Sequence, residues 1–161
     1  MADCRTVTEG DHIRNLLGRY CDLIDAGDWP GVGALFGRGR LADERGVELA
    51  AGAEAVAAFY AAGTRLHDGS PRTKHLVVNT VLDGPAADGS ITARSSYLVL
   101  QAVEGLALQP IITGRYVDTF ARGDSASGDS AAGDSGGWHF VERRFAVDLV
   151  GDLSHHLRYA L

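Results

Sequence analysis

Arg72-Thr73-Lys74-His75-Leu76-Val77-Val78-Asn79-Thr80-Val81-Leu82 is rich in β-branched residues and lies between two turn signals, Ser70-Pro71 and Asp83-Gly84. It predicts a strand. Side chains alternate along a strand, which puts His75, Val77, Asn79 and Val81 on one face and Leu76, Val78, Thr80 and Leu82 on the other. The second face is apolar enough to pack on a layer of helices. The first sets an imidazole and a carboxamide among valines, the pattern of polar handles inside a mostly apolar pocket. A strand histidine that only hydrogen-bonds backbone looks the same in sequence, so the weight of His75 rests on what precedes it.

Upstream the pattern is helical. Ile13, Leu16, Leu17, Tyr20, Leu23 and Ile24 recur at helical spacing behind Thr8, whose partner three positions on is Asp11, in the manner of a capping arrangement. Gly27 ends that helix, and Asp28-Trp29-Pro30 starts a shorter one with aspartate as cap and proline in the first turn. A short strand or hairpin fits between Arg40 and Leu49, and Glu54–Leu66 predicts a third helix with Val56, Phe59 and Tyr60 as its bulky contacts. Downstream of the His75 strand come a turn at 84–89 and three long strand patterns, Ile91–Val103, Ile111–Arg122 and Trp138–Leu149. Three helices followed by a run of strands is an α+β order with an antiparallel sheet, and an alternating βαβ fold does not fit. Between the last two strands Gly-Asp-Ser recurs at 123, 128 and 133. Nothing apolar intervenes, so residues 123–137 predict a flexible hairpin loop rather than a calcium-binding repeat.

The bulk numbers bound the function. At 161 residues and 17.0 kDa the chain predicts one domain, 1–161, large enough for a real core. A net charge of -6 argues against a nucleic-acid backbone as partner. Two cysteines, Cys4 and Cys21, do not make a disulfide framework and are expected as free thiols. Met1–Gly10 lacks the basic-then-apolar profile of a signal peptide, and no run is long enough to span a bilayer, so a cytoplasmic protein without membrane contact is expected. There is no phosphate-binding loop, dinucleotide fingerprint, hydrolase elbow or zinc spacing.

Three pieces carry a family resemblance: Tyr20-Cys21-Asp22-Leu23-Ile24-Asp25-Ala26-Gly27-Asp28-Trp29, then Arg72-Thr73-Lys74-His75, then Gly114-Arg115-Tyr116-Val117-Asp118 with Arg143-Arg144. Together with Trp138–Arg144 and the tail Asp148–Leu153, they resemble the SnoaL-like branch of the nuclear transport factor 2 superfamily. The resemblance implies a cone, a strongly curved antiparallel sheet wrapped around a pocket and closed by N-terminal helices, and a homodimer formed through the outer sheet face. Enzymes of this kind include dehydratases, polyketide cyclases and double-bond isomerases, and none of these needs a metal or an organic cofactor. In the dehydratases an aspartate on the first helix holds a histidine at the start of the strand after the third helix; Asp25 and His75 fall there. Tyr20 matches a tyrosine of the bile acid dehydratases. The second histidine of the fungal scytalone dehydratase would fall on Ser95–Gln101, which contains none.

The residues make a chemical case of their own. Imidazole titrates near neutral pH, so His75 suits proton transfer at a carbon beside a carbonyl, with a buried Asp25 fixing its tautomer. Tyr20 or Tyr116 would donate to the developing enolate oxygen. Tyr20 and Asp25 are roughly 140° apart on an ideal helix, so a shared pocket is expected to require irregularity near Gly27. Each residue also has a plainer role: Tyr20 as a core tyrosine, Asp25 paired with an arginine. Of Arg143 and Arg144, one is expected to brace Asp118 or Glu142 and the other to be exposed. Asn79, Tyr97, Tyr116 and Trp29 are the expected substrate contacts, while His155 and His156 lie in a tail beyond the sheet. The expected activity is cofactor-independent elimination, isomerisation or ring closure on a hydrophobic carbonyl compound, polyketide or steroid-like. A non-catalytic ligand binder and the small subunit of a ring-hydroxylating oxygenase are the alternatives.

Overall fold

The computed structural model describes residues 7–123 and 135–159, so most of the predicted loop at 123–137 lies outside the described residues. The chain runs α1 (Glu9–Ala26), α2 (Trp29–Leu35), β1 (Arg40–Asp43), β2 (Glu48–Ala51), α3 (Gly52–Gly63), β3 (Thr73–Asp83), β4 (Ile91–Val103), β5 (Leu106–Arg122) and β6 (Trp138–Val150). Among the described residues these strands form one sheet in the order β2-β1-β6-β5-β4-β3. The α+β class is as the sequence predicts. One departure is that β1 pairs parallel to β6, while every other pair is antiparallel.

Local chemistry sets the helix ends. Thr8 and Asp11 form a reciprocal capping box at the start of α1, each side chain accepting the other's backbone N–H. Gly27 takes the left-handed conformation, φ 72°, that closes the helix, and Asp28 then accepts the Gly31 N–H at the start of α2. Ile13, Leu16, Leu17, Tyr20 and Ile24 form the buried stripe of α1, packed on the concave face of the sheet with Tyr97, Val99, Tyr116 and Phe120.

Up to Val78 the faces of β3 are the reverse of the sequence expectation. His75 and Val77 face the helices, whereas Leu76 and Val78 lie on the outer face, 41% and 43% exposed. Helices and pocket share one face of the sheet rather than taking opposite ones. A β-bulge between Val78 and Val81, with Asn79 at φ 54°, then switches the parity of the strand. Thr80 and Leu82 therefore turn inward, the Thr80 hydroxyl 3.0 Å from that of Ser95, and Val81 is half exposed.

The tail also departs from expectation. Beyond β6 the chain folds back to the end of α3: Arg65 N–H donates to His156 O at 2.8 Å, Arg158 N–H to Gly63 O at 3.0 Å, and Leu157 bridges Thr64. Gln101, fully buried on β4, donates through Nε2 to Pro71 O and His155 O. Residues 153–159 thus form part of the wall around the concave face.

Candidate active site

Asp25 stands on the last turn of α1, and His75 near the start of β3. The His75 Nδ1 lies 2.6 Å from Asp25 Oδ1, with the two side chains only 7% and 8% exposed. The carboxylate also accepts the His75 backbone N–H at 2.9 Å and the Thr73 hydroxyl at 2.8 Å. Burial pushes the Asp25 carboxyl up, but the ring hydrogen bond and charge of His75, its backbone N–H and Thr73 outweigh it and hold the group below its usual range. An ionised Asp25 demands a proton on Nδ1, which leaves the Nε2 lone pair of a neutral His75 as the basic site.

The imidazole lines a cavity of about 130 Å³ whose surface is mostly apolar, including Ile24, Phe59, Val99, Ile112 and Phe145. Five tyrosines line it, Tyr20, Tyr60, Tyr97, Tyr116 and Tyr159, and the first four pack closely on one another or on His75. Tyr20 and Tyr60 place their hydroxyls 3.0 Å apart. Tyr20 also meets the rings of His75 and Tyr116 edge-on, at centroid distances of 6.3 and 6.2 Å. Tyr97 stacks on Tyr116 at 4.4 Å and donates its hydroxyl to Ala146 O. Burial raises the hydroxyl pKa of Tyr20, Tyr60 and Tyr116 and takes Tyr97 to about 12, so all four remain protonated donors at neutral pH. Although α1 stays helical through Ala26, Tyr20 and Asp25 both reach His75. The carboxylate takes the Nδ1 edge and the phenol ring packs against the imidazole, so no helix irregularity is needed.

Behind the tyrosines lies the fully buried pair Arg143–Asp118, with Nε to Oδ1 and Nη2 to Oδ2 both at 2.7 Å. The guanidinium carbon sits 4.1 Å from the Tyr20 ring centroid and 3.9 Å from that of Tyr116. Burial drives the Asp118 carboxyl up despite Arg143, while Asp118 holds the arginine proton far above its usual range. Each carboxylate oxygen accepts a short charge-assisted bond, which is the signature of an ionised pair. Arg143 is thus the bracing arginine, on Asp118, and Arg144 pairs with Glu142 at the surface.

Of the expected contacts, Tyr20, Tyr97, Tyr116 and His75 line the cavity, and Trp29 and Asn79 do not. Trp29 stacks behind Tyr60, at 6.3 Å and 15°, and supports a residue that lines the cavity. Asn79 sits on the bulge, exposed, beside a separate groove between α1 and the edge strand β3. Sequence reasoning missed several lining residues, Tyr60, Thr64, His156 and Tyr159 among them. Tyr60 reads as a packing group of α3, and His156 has no local pattern at all, since only the folding back of the tail brings it to the wall. Among the described residues no group of three His, Cys, Asp or Glu side chains is placed to hold a metal, and no helix is long and apolar enough to cross a membrane.

No curated protein sequence matches the chain. Its structure is similar to that of a nuclear transport factor 2-like protein with a cystatin-like fold from Novosphingobium aromaticivorans, at TM-score 0.65 and 22% identity over 91% of this chain and 86% of that one. It is also similar to ActVI-ORFA from Streptomyces coelicolor, at TM-score 0.62 and 22% identity over 85% and 95% of the two chains. A candidate scytalone dehydratase from Novosphingobium aromaticivorans gives TM-score 0.63 and 19% identity over 89% and 87%. At such identities the likeness shows the fold alone. The sequence profile of the SnoaL-like domain matches residues 5–144, and the chain belongs to that family.

Proposed function

We propose that the protein is a cofactor-independent acid/base enzyme acting on a hydrophobic ring compound that bears a carbonyl group, by elimination, isomerisation or ring closure. The observation that carries this reading is the 2.6 Å contact of His75 Nδ1 with Asp25 at the wall of an apolar cavity. Nε2 of His75 takes a proton from the carbon beside the carbonyl, and the electron pair moves onto oxygen as an enolate. Tyrosine hydroxyls, kept protonated by burial, donate to that oxygen. The imidazolium, stabilised by Asp25, then returns its proton to another carbon or to a departing hydroxyl, which leaves as water. A cavity of about 130 Å³ has room for a single ring. The candidate scytalone dehydratase and ActVI-ORFA share this fold, which supports the reading without fixing the substrate.

The test is exchange of the α-protons of cyclohexanone in D2O, followed by NMR. The wild-type protein is expected to accelerate it, and His75→Ala and Asp25→Asn to lose that acceleration while keeping the native circular dichroism spectrum. A wild-type rate equal to buffer, or equal rates in all three proteins, rejects the enzyme in favour of a binding module or an oxygenase small subunit.

A further inference from the structure

His156 lines the same cavity as His75, yet neither of its ring nitrogens has a hydrogen-bond partner among the described residues. Nδ1 is sealed from solvent, and Nε2 is the nitrogen that retains accessible surface. Nε2 is thus the edge of the ring that a ligand in the cavity can meet, a polar handle in a largely apolar wall. The ring is not a loose end that happens to rest there. The His156 backbone is tied on both sides, its N–H donating to Leu153 O and its carbonyl accepting from Arg65, with Leu157 bridged to Thr64 and Arg158 bonded to Gly63. Gln101 holds the preceding carbonyl from the sheet side. The position of the ring is therefore built from three directions.

We infer that His156 is a second ligand-binding group of the cavity, and that Nε2 pairs with a hydroxyl or carbonyl oxygen of the substrate distinct from the carbonyl that faces the tyrosines. The ligand class narrows accordingly, to a single ring carrying two oxygen substituents. This rests on the acid/base reading for the first carbonyl and adds the second oxygen to it. Burial, followed by the His75 charge, pushes the His156 imidazole down to about 4, so at neutral pH it is uncharged and offers one donor and one acceptor. It complements His75 rather than replacing it: Asp25 holds the Nδ1 edge of one ring, and burial keeps the other neutral to hold an oxygen.

The experiment compares the affinity of the full-length protein for cyclohexanone with that for the tightest-binding hydroxycyclohexanone isomer, by titration with NMR detection. The wild-type protein is expected to prefer the hydroxy ketone. His156→Leu is expected to keep the native circular dichroism spectrum, while its preference for the hydroxy ketone over cyclohexanone falls about tenfold, the weight of one hydrogen bond. His156→Gln, which keeps a donor and an acceptor, is expected to restore most of it. Preference lost in the leucine variant while cyclohexanone still exchanges its α-protons supports the inference. Preference unchanged by His156→Leu overturns it whatever the exchange rate, and absence of binding to either compound in the wild-type protein overturns both readings.

Discussion

Asp25 accepts hydrogen bonds from the hydroxyl of Thr73 and from both the backbone and the ring of His75, so one carboxylate fixes the helix end, the strand start and the imidazole together. Asp25→Asn keeps an acceptor for the backbone N–H but presents an amide N–H to Nδ1. The ring is expected to move its proton to Nε2, the wrong tautomer for a base, which 15N shifts of the histidine will report. Unfolding in urea at pH 7 is expected to show a loss of about 1–3 kcal/mol. The pH dependence has a definite sign. The folded carboxyl titrates below its unfolded value near 3.8, so its contribution is complete above that value and is lost as pH falls through the folded pKa. Asp25→Asn should flatten the stability curve in that acid range. His156 acts in a different window. Its folded pKa of about 4 lies below the unfolded 6.5, so the unfolded chain binds the extra proton between them and stability drops as pH falls from 6.5 toward 4. His156→Leu should remove that drop, of order 1–3 kcal/mol. If the curve in this window is the same in both proteins, the imidazole is not buried neutral.

Gly114 and the bulge of β3 show how single elements shape the cavity. A Cβ at Gly114 would lie 2.0 Å from Ala146 O and 2.5 Å from the Tyr97 hydroxyl oxygen. Gly114→Ala must therefore part β5 from β6 or push Tyr97 off its bond to Ala146. A loss of at least about 1–3 kcal/mol is expected, with weakened cyclohexanone binding. At the bulge, Asn79 adopts φ 54°, which asparagine tolerates and a β-branched residue does not. Asn79→Val is expected to lose about 1–3 kcal/mol and Asn79→Gly to be close to neutral, both with unchanged affinity for cavity ligands, as melting curves and titration will show. This bulge also explains the limits of the sequence reading. Helix ends were legible because Thr8, Gly27 and Asp28 act on their immediate neighbours, and strands were legible from local residue type. Which face of β3 is inside was not, because both faces carry apolar residues and the parity changes within the strand. Asp25 and His75 could be paired through the family resemblance. The placing of His156 depends on contacts about ninety residues apart, Arg65 to His156 and Arg158 to Thr64, which no local pattern announces.

At the scale of the molecule, the wall of tyrosines has an ionised pair behind it where most cores have hydrocarbon. Arg143 reaches from β6 to Asp118 on β5 and packs its planar head against Tyr20 of α1 and Tyr116 of β5, so helix and sheet meet over one guanidinium. Its charge opposes the burial that raises the pKa of both hydroxyls, which makes them better donors than an apolar wall would allow. Removing one member leaves the other charged and dry. Arg143→Met is expected to lose about 3–5 kcal/mol in urea unfolding at pH 7, and Asp118→Leu a comparable amount. The double variant Arg143→Met/Asp118→Leu is expected to recover much of that loss, because a buried pair replaced by hydrocarbon of similar volume is often neutral in stability. Stability and chemistry should then separate. If the cation supports the tyrosine donors, the double variant folds yet exchanges the α-protons of cyclohexanone more slowly than the wild-type protein. Equal exchange in the two would confine Arg143 to holding the layers together.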